Sequence, residues 1–146
     1  MKKIAFNIDI NASAPKVWNV MLDPVTYKQW VHVSWPDSSF KGKWEQGESL
    51  YFEGAEGGGT KAVVKELRPY EYLFMEHVAI VTADGSEDTT SDVAKTWKGT
   101  TESYSFTEQN GKTTLLVELN TPPEWAGMFE EGWPNALKEL KRICES

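Results

Sequence analysis

The sequence predicts an α+β fold in which one antiparallel sheet is covered by a long C-terminal helix. Residues 3–10 alternate between apolar and polar side chains, which is the period of a β-strand. Further segments of this kind follow, and "QNGK" at 109–112 joins two of them with the Asn-Gly pair of a tight hairpin. The last 25 or so residues change to the period of an amphipathic helix. An antiparallel sheet with one apolar face needs such an element to cover that face.

Two short helices are expected directly after the first strand. Ser13 or Ala14 is placed to cap the first helix, and Pro15 falls in its first turn, where a missing N–H costs little. Asp23 and Pro24 end this helix and begin the second, with Asp23 as its N-cap. The chain therefore begins strand, helix, helix.

The middle of the chain is rich in predicted strands, which brings the total to about six or seven. Besides residues 3–10, these are 48–54, 60–67, 72–81, 97–108 and 112–119. The strand at 72–81 is apolar on both faces, which indicates a central position. The glycine-rich residues 54–59 predict a turn. The polar segment 82–96 is interpreted as a long exposed loop, with room for a lid or a partner-binding role.

The C-terminal segment predicts a helix that begins with a capping box. In "TPPE" at 121–124, Thr121 would cap the helix and Glu124 would reach back to it. The apolar stripe consists of Phe129, Trp133, Ala136, Leu137, Leu140 and Cys144. Pro134 interrupts the hydrogen bonding of this helix, yet the stripe stays in phase across it. We therefore expect one helix bent near 130–133, or two coaxial segments.

Length and charge limit the classes of function. The 146 residues suit a single domain spanning 1–146, and a net charge of -7 argues against nucleic acid as a partner. No apolar run approaches the roughly 20 residues that a membrane-spanning helix needs, so no membrane insertion is expected. The start of the chain is interpreted as a strand and not as a signal peptide. One cysteine allows no internal disulfide, and we expect a cytoplasmic protein.

Catalytic, metal and cofactor signals are weak. His32 and His77 lie in different predicted elements, with no spacing typical of a metal site. The stretch "GAEGGGTK" has the wrong residue order for a phosphate-binding loop and lies between two strands. Cys144 falls on the apolar stripe and is interpreted as a buried core residue. We predict no catalytic residues, no metal and no cofactor.

Glu76 and His77 are an unusual pair in an otherwise apolar strand. Adjacent strand residues point to opposite faces, so the two side chains cannot act together on one substrate. A cross-strand hydrogen bond or ion pair would explain either residue. Contact with a ligand, or acid–base catalysis, are the alternatives.

Aromatic residues are numerous, with seven Trp, five Tyr and six Phe. Each ring could simply fill a core, but together they suit the wall of a pocket. Trp97 and Tyr104 are placed on the same strand. The predicted cavity residues are Trp18, Trp30, Trp44, Tyr51, Phe74, Glu76, His77, Tyr104, Phe129, Trp133 and Leu137.

Several motifs resemble those of a known superfamily. The opening motif comprises Ile10, Ala12, Val17, Trp18, Met21, Asp23, Pro24, Tyr27 and Trp30. With "WEQGESLYF" at 44–52, "VVKELRPYEYL" at 63–73 and "GWPNALKELK" at 132–141, it is similar to the SRPBCC or START-like superfamily, in its AHSA-type branch. This branch is named for homologues of a heat-shock ATPase activator.

This resemblance implies a helix-grip fold: a curved sheet wrapped around a long C-terminal helix, with a hydrophobic cavity between them. Members bind lipids, steroids, polyketides or flavonoid-like molecules, and a few are cyclases or aromatases. We therefore expect this protein to bind a small hydrophobic molecule without catalysis. The alternatives are a cyclase-like or hydrolase-like enzyme using the same cavity, and a module that interacts with a chaperone.

Overall fold

The computed structural model describes residues 1–146 and has the predicted α+β helix-grip fold. The strands are β1 (Lys2–Ile10), β2 (Ser39–Gly42), β3 (Ser49–Glu53), β4 (Gly59–Arg68), β5 (Tyr72–Val81), β6 (Glu87–Asp88), β7 (Thr101–Gln109) and β8 (Lys112–Thr121). The helices are α1 (Ala14–Leu22), α2 (Pro24–His32), α3 (Asp92–Trp97) and α4 (Pro123–Glu145). The antiparallel sheet has the order β1-β8-β7-β5-β4-β3-β2, and β6 pairs only with β5. The predicted central strand 72–81 is β5, the middle strand of this order.

Local side-chain caps set the two short helices, as predicted. The Ser13 hydroxyl accepts a hydrogen bond from the Lys16 N–H at the start of α1. The Asp23 carboxylate accepts from the N–H groups of Val25 and Thr26 at the start of α2. Because the Asp23 N–H also donates to the Asn19 carbonyl, this one residue ends α1 and begins α2.

The turn between β7 and β8 also follows the sequence signal. Gln109 pairs with Lys112, and the two residues between them have positive φ angles, 57° at Asn110 and 77° at Gly111. Asn and Gly tolerate this left-handed conformation better than other residues, and it matches the twist of the flanking strands.

The segment 82–96 is mostly exposed, as predicted, but the prediction that it is a loop throughout is wrong. This segment contains β6, which pairs with the end of β5, and most of α3. The Ser91 hydroxyl accepts from the Ala94 N–H and begins α3, while Ala94 and Trp97 form its buried face. Trp97 is consequently the last residue of a helix and not part of a strand.

The short strand β2 was not predicted, because its four residues give too little alternation of apolar and polar side chains to recognise.

The last helix is continuous, and every residue of its predicted stripe is buried. Pro134 lies within it on the exposed side. The predicted capping box is wrong: the N-cap position is Pro122, and no side chain caps the helix. Thr121 cannot serve as the cap because it is the last residue of β8, where it pairs with Lys2 of β1.

The core lies between the inner face of the sheet and α1, α2 and α4. It is a cluster of 27 buried residues to which every long strand and every helix contributes. Cys144 belongs to it, as predicted, and burial raises the pKa of its thiol to about 11. No helix combines the length and the apolar character that crossing a membrane requires.

We predict that Leu140→Ala lowers the free energy of unfolding by about 2–5 kcal/mol, because Leu140 is fully buried in the α4 stripe and its loss leaves a void. Lys138→Ala on the exposed side of the same helix is the matched control, with an expected change within about 0.5 kcal/mol. Urea denaturation of both variants measures the difference. Equal stabilities would show that the stripe does not anchor the helix.

Candidate functional site

A cavity of about 250 Å³ lies between the sheet and the N-terminal half of α4. Its floor consists of side chains of the inner sheet face: Phe52, Thr60, His77, Glu102 and Tyr104. The helices contribute Tyr27, Trp30, Val31, Trp97, Met128, Phe129 and Trp133. Trp35, Ser38, Ser39, Glu53, Gly54 and Gly59 complete the lining. The connection after α2 and the β3–β4 hairpin thus border the cavity.

Five of the predicted cavity residues line this space. They are Trp30, His77, Tyr104, Phe129 and Trp133. Trp133 is the hub of the aromatic wall, since its ring lies 5.8 Å from that of Trp30 and 5.9 Å from that of Tyr104, measured between centroids. These rings come from α2, β7 and α4, so the fold brings together residues that are distant in sequence.

Phe74, Glu76 and Tyr51 lie on the outer face of the sheet, away from the cavity. In β5 the buried positions alternate with partly exposed ones, and His77 is buried while Phe74 and Glu76 are only partly buried. Glu76 forms an ion pair with Lys65 at 3.8 Å. The ammonium group of Lys61 lies over the Tyr51 ring, 5.5 Å from its centroid. Strand parity therefore separates Glu76 from His77, as the alternation of side chains requires.

Trp18, Trp44 and Leu137 face the interior but do not line the cavity. Trp18 packs against the ring of Phe106, with 5.2 Å between centroids. The Trp44 indole N–H donates to the Leu22 carbonyl at the end of α1. Leu137 follows Trp133 by one helical turn and is buried in the core. Their role in this structure is packing.

The polar centre of the cavity is Glu102, which the sequence analysis missed. Its carboxylate lies 2.9 Å from His77 Nε2 and accepts a hydrogen bond of 2.8 Å from the Tyr104 hydroxyl. Glu102 is the cross-strand neighbour of the buried Met75, so it faces inward. Residues 102, 104 and 106 of β7 share one face of the sheet, because every second side chain of a strand points the same way. The aromatic Tyr104 and Phe106 indicate that this face is the inner one, and this pattern could have placed Glu102 there as well.

Backbone pairing holds His77 in place. Its N–H donates to the Thr100 carbonyl, and its carbonyl accepts from the Gly99 N–H. These bonds fix the end of α3, so that the Trp97 ring packs against the imidazole at 5.0 Å between centroids. The second imidazole nitrogen, Nδ1, is buried and has no hydrogen-bond partner. A neutral imidazole with its proton on Nε2 donates to Glu102 and carries its lone pair on Nδ1.

The two tyrosines of the cavity are held in their protonated form. Burial, followed by the negative charge of Glu102, raises the pKa of Tyr104 well above its usual value. The same two causes raise the pKa of Tyr27. Tyr104 therefore remains a hydrogen-bond donor to Glu102 across the neutral pH range.

No group of three or more His, Cys, Asp or Glu side chains is placed to hold a metal ion.

The indole N–H groups of four tryptophans fall into two classes. Those of Trp30 and Trp44 donate to the carbonyls of Met21 and Leu22, which would otherwise be unpaired at the end of α1. Those of Trp97 and Trp133 are buried without a partner, although both rings line the cavity. A buried donor without a partner costs about 1–3 kcal/mol.

Gly132 of α4 shapes one wall of the cavity. A Cβ atom at this position would lie 2.6 Å from the Trp35 ring, so only glycine lets the ring approach the helix this closely. The Gly132 carbonyl also accepts a hydrogen bond from the Ser34 hydroxyl. Trp35 then packs edge-on against Trp133 at 5.6 Å between centroids.

Residues 11–145, nearly the whole chain, match the family described as activator of Hsp90 ATPase homolog 1-like protein. The chain belongs to this family. It is therefore a member of the AHSA-type branch of the SRPBCC superfamily, as the sequence motifs predicted. No curated protein matches the sequence.

Solved structures show that the family fold is the one described above. The Aha1 dimer from Colwellia psychrerythraea has a TM-score of 0.74 at 20% identity, with 99% of this chain and 97% of the other covered. A protein from Mesorhizobium loti has a TM-score of 0.74 at 16% identity, covering 97% and 96%. DynU16, from the dynemicin biosynthetic locus, has a TM-score of 0.72 at 17% identity, covering 100% of this chain and 48% of its own.

We predict that Tyr104→Phe lowers the free energy of unfolding at about pH 8 by about 1.5–3 kcal/mol, because Glu102 loses a donor to its charged group. Tyr72→Phe is the matched control, because Tyr72 lies on the outer face of β5 and its hydroxyl makes no hydrogen bond within the protein; the expected change is within about 0.5 kcal/mol.

The same variant has a second expected effect at alkaline pH. The raised pKa of Tyr104 means that its stabilising contribution is complete below the unfolded-state pKa of about 10 and is lost as pH rises from there towards the folded-state pKa. The decline of stability above about pH 10 should therefore be shallower in Tyr104→Phe than in the parent protein. Denaturant titrations at a series of pH values measure both slopes, and equal slopes would contradict the assignment.

Proposed function

We propose that this protein binds a small, mainly aromatic, hydrophobic molecule in the cavity between the sheet and α4. The observation that carries the proposal is a cavity with an aromatic wall and a buried polar centre in the same space. Ten of the 18 lining residues are hydrophobic, and the polar ones are concentrated around Glu102 and at the rim. Apolar pockets with a few convergent polar groups are typical of small-molecule sites.

The size of the cavity limits the ligand. A volume of about 250 Å³ is just below the range of about 300–1,000 Å³ that is usual for drug-sized ligands. A body of one or two rings fits this space better than a steroid or a long acyl chain. The connection after α2 and the β3–β4 hairpin are the natural entrance, because they form the rim where the lining residues become exposed.

Affinity and orientation would come from different residues. Burial of apolar ligand surface against Trp30, Phe129 and Trp133 supplies the affinity. Glu102, His77 and Tyr104 orient a polar group of the ligand. Glu76 has no part in this proposal because it faces the opposite side of the sheet.

The similarity to solved structures supports this proposal at the level of the fold. One structural neighbour comes from a biosynthetic locus, in which handling of small molecules is expected. The family is also compatible with a chaperone partner. The aromatic cavity is the feature that favours a ligand over a protein partner as the primary function.

The Glu102–His77 pair favours one second candidate, a cyclase-like or hydrolase-like enzyme that moves a proton in the same cavity. A carboxylate that accepts a hydrogen bond from an imidazole is a common way to orient a general base. Under this alternative, turnover of an aromatic ester or polyketide-like substrate depends on pH and is lost in Glu102→Gln and in His77→Ala. Glu76→Gln should retain it. Turnover that survives both cavity variants would exclude the pair as the catalytic group.

For the binding function, we predict that a panel of one-ring and two-ring aromatic compounds produces a saturable change in tryptophan fluorescence. Trp133→Phe should weaken binding by about tenfold, because the indole forms the centre of the cavity wall. Trp18→Phe is the matched control, since Trp18 is equally buried but lies outside the cavity. It should leave the affinity unchanged. No saturable change with any compound, or equal effects of the two variants, would contradict the proposal.

A further inference from the structure

We propose that the ligand is an organic cation, namely an aromatic amine whose protonated nitrogen is held by Glu102. This inference rests on the proposed binding function and names the ligand class of the same site. It follows from the charges in the cavity, from the rings that surround them and from the absence of Lys and Arg side chains in the lining.

The charges that line the cavity are of one sign. No Lys or Arg side chain contributes to the lining, whereas Glu53 and Glu102 do. Glu53 at the rim is already paired with Lys41, at 3.0 Å. Glu102 has only His77 and Tyr104 as partners. His77 supplies a positive charge only in its protonated form, and no Lys or Arg side chain pairs with Glu102, so this carboxylate has no permanently charged partner.

The surroundings of Glu102 make such a charge costly unless a cation joins it. The Glu102 side chain is only 13% exposed and that of His77 only 3%. A carboxylate removed from water to this extent is stabilised by a paired positive charge more strongly than by neutral donors alone. The residual exposure of Glu102 is towards the cavity, where a ligand nitrogen can approach it.

The aromatic wall favours the same kind of ligand. Two rings flank the imidazole of the pair, Trp97 at 5.0 Å and Phe52 at 6.0 Å between centroids. A third ring, Trp133, lies 5.9 Å from Tyr104, the other partner of Glu102. The electron-rich faces of such rings attract a cation, most strongly for Trp, and the effect increases when the cation leaves water. A carboxylate inside an aromatic enclosure is therefore complementary to an ammonium group attached to an apolar body.

An acidic ligand is disfavoured by the same features. A carboxylate or phenolate in the cavity would lose its hydration, meet no Lys or Arg side chain and be repelled by Glu102. The net charge of -7 adds a weaker long-range repulsion of anions and attraction of cations. A neutral ligand avoids this repulsion but adds no positive charge beside Glu102.

Calorimetric titration with three ligands that share one two-ring body tests the inference. The probes are naphthylethylamine, which is cationic near neutral pH, naphthylethanol, which is neutral, and the carboxylate naphthaleneacetate, which is anionic. We expect the amine to bind about tenfold or more tightly than the alcohol, and the carboxylate to bind most weakly. This comparison uses the unmodified protein and does not depend on the folding of any variant.

Variants of Glu102 test whether this residue is the source of the preference. Glu102→Gln should weaken amine binding by about tenfold and change alcohol binding by less than about twofold. Glu102→Asp keeps the charge and should retain a preference for the amine. Glu76→Gln removes one negative charge from the outer face, and its affinity for the amine should equal that of the parent protein.

The outcomes separate the inference from the function on which it rests. If the alcohol or the carboxylate binds as tightly as the amine, the cation proposal is overturned and the binding function stands. If none of the three ligands binds, both are overturned. A preference for the amine that persists in a folded Glu102→Gln protein overturns the role of Glu102.

Discussion

The structure depends on one constraint: the long helix α4, with only the short helices α1 and α2 beside it, has to cover one face of a wide sheet. A helix is about 10 Å wide, whereas seven strands at about 4.8 Å spacing extend for about 29 Å. The C-terminal half of α4 solves this by direct packing, with Leu140 and Cys144 fully buried. At its N-terminal half, Phe129 and Trp133 close over the sheet without filling the space beneath them. The cavity is thus a consequence of covering a wide sheet with a narrow element.

The polar groups in this space contradict the usual rules for a core. Glu102, His77 and Tyr104 form a hydrogen-bonded set, yet His77 Nδ1 and the N–H groups of Trp97 and Trp133 are left unpaired. Each unpaired group destabilises the folded chain, and replacing the set with apolar residues would remove that cost. Violations of local rules that are concentrated in one cavity are typical of a functional site.

The sequence predicts the features whose cause is local and misses those that depend on register. The caps at Ser13 and Asp23 and the turn at Asn110 each act within a few residues, so their patterns were sufficient. The partner of His77 was not predictable in this way, because Glu102 reaches it only through the pairing of β5 with β7. Trp97 was misplaced since α3 has only six residues, too few for its period to stand out against a polar background. Parity showed that Glu76 and His77 face opposite sides, but only the position of the helices decides which side is the inside.

The rim of the cavity is formed by chain segments that contribute little to the core. Residues 55–57 at the tip of the β3–β4 hairpin are exposed. Ser38, just before β2, and Ser39, its first residue, are only partly buried. The residues that maintain the sheet and α4 lie elsewhere. Insertions or substitutions at the rim can therefore accumulate over evolutionary time without a loss of folding, and each one changes which molecules can enter. Separating the residues that hold the fold from those that admit a ligand gives this architecture a simple route to new specificities.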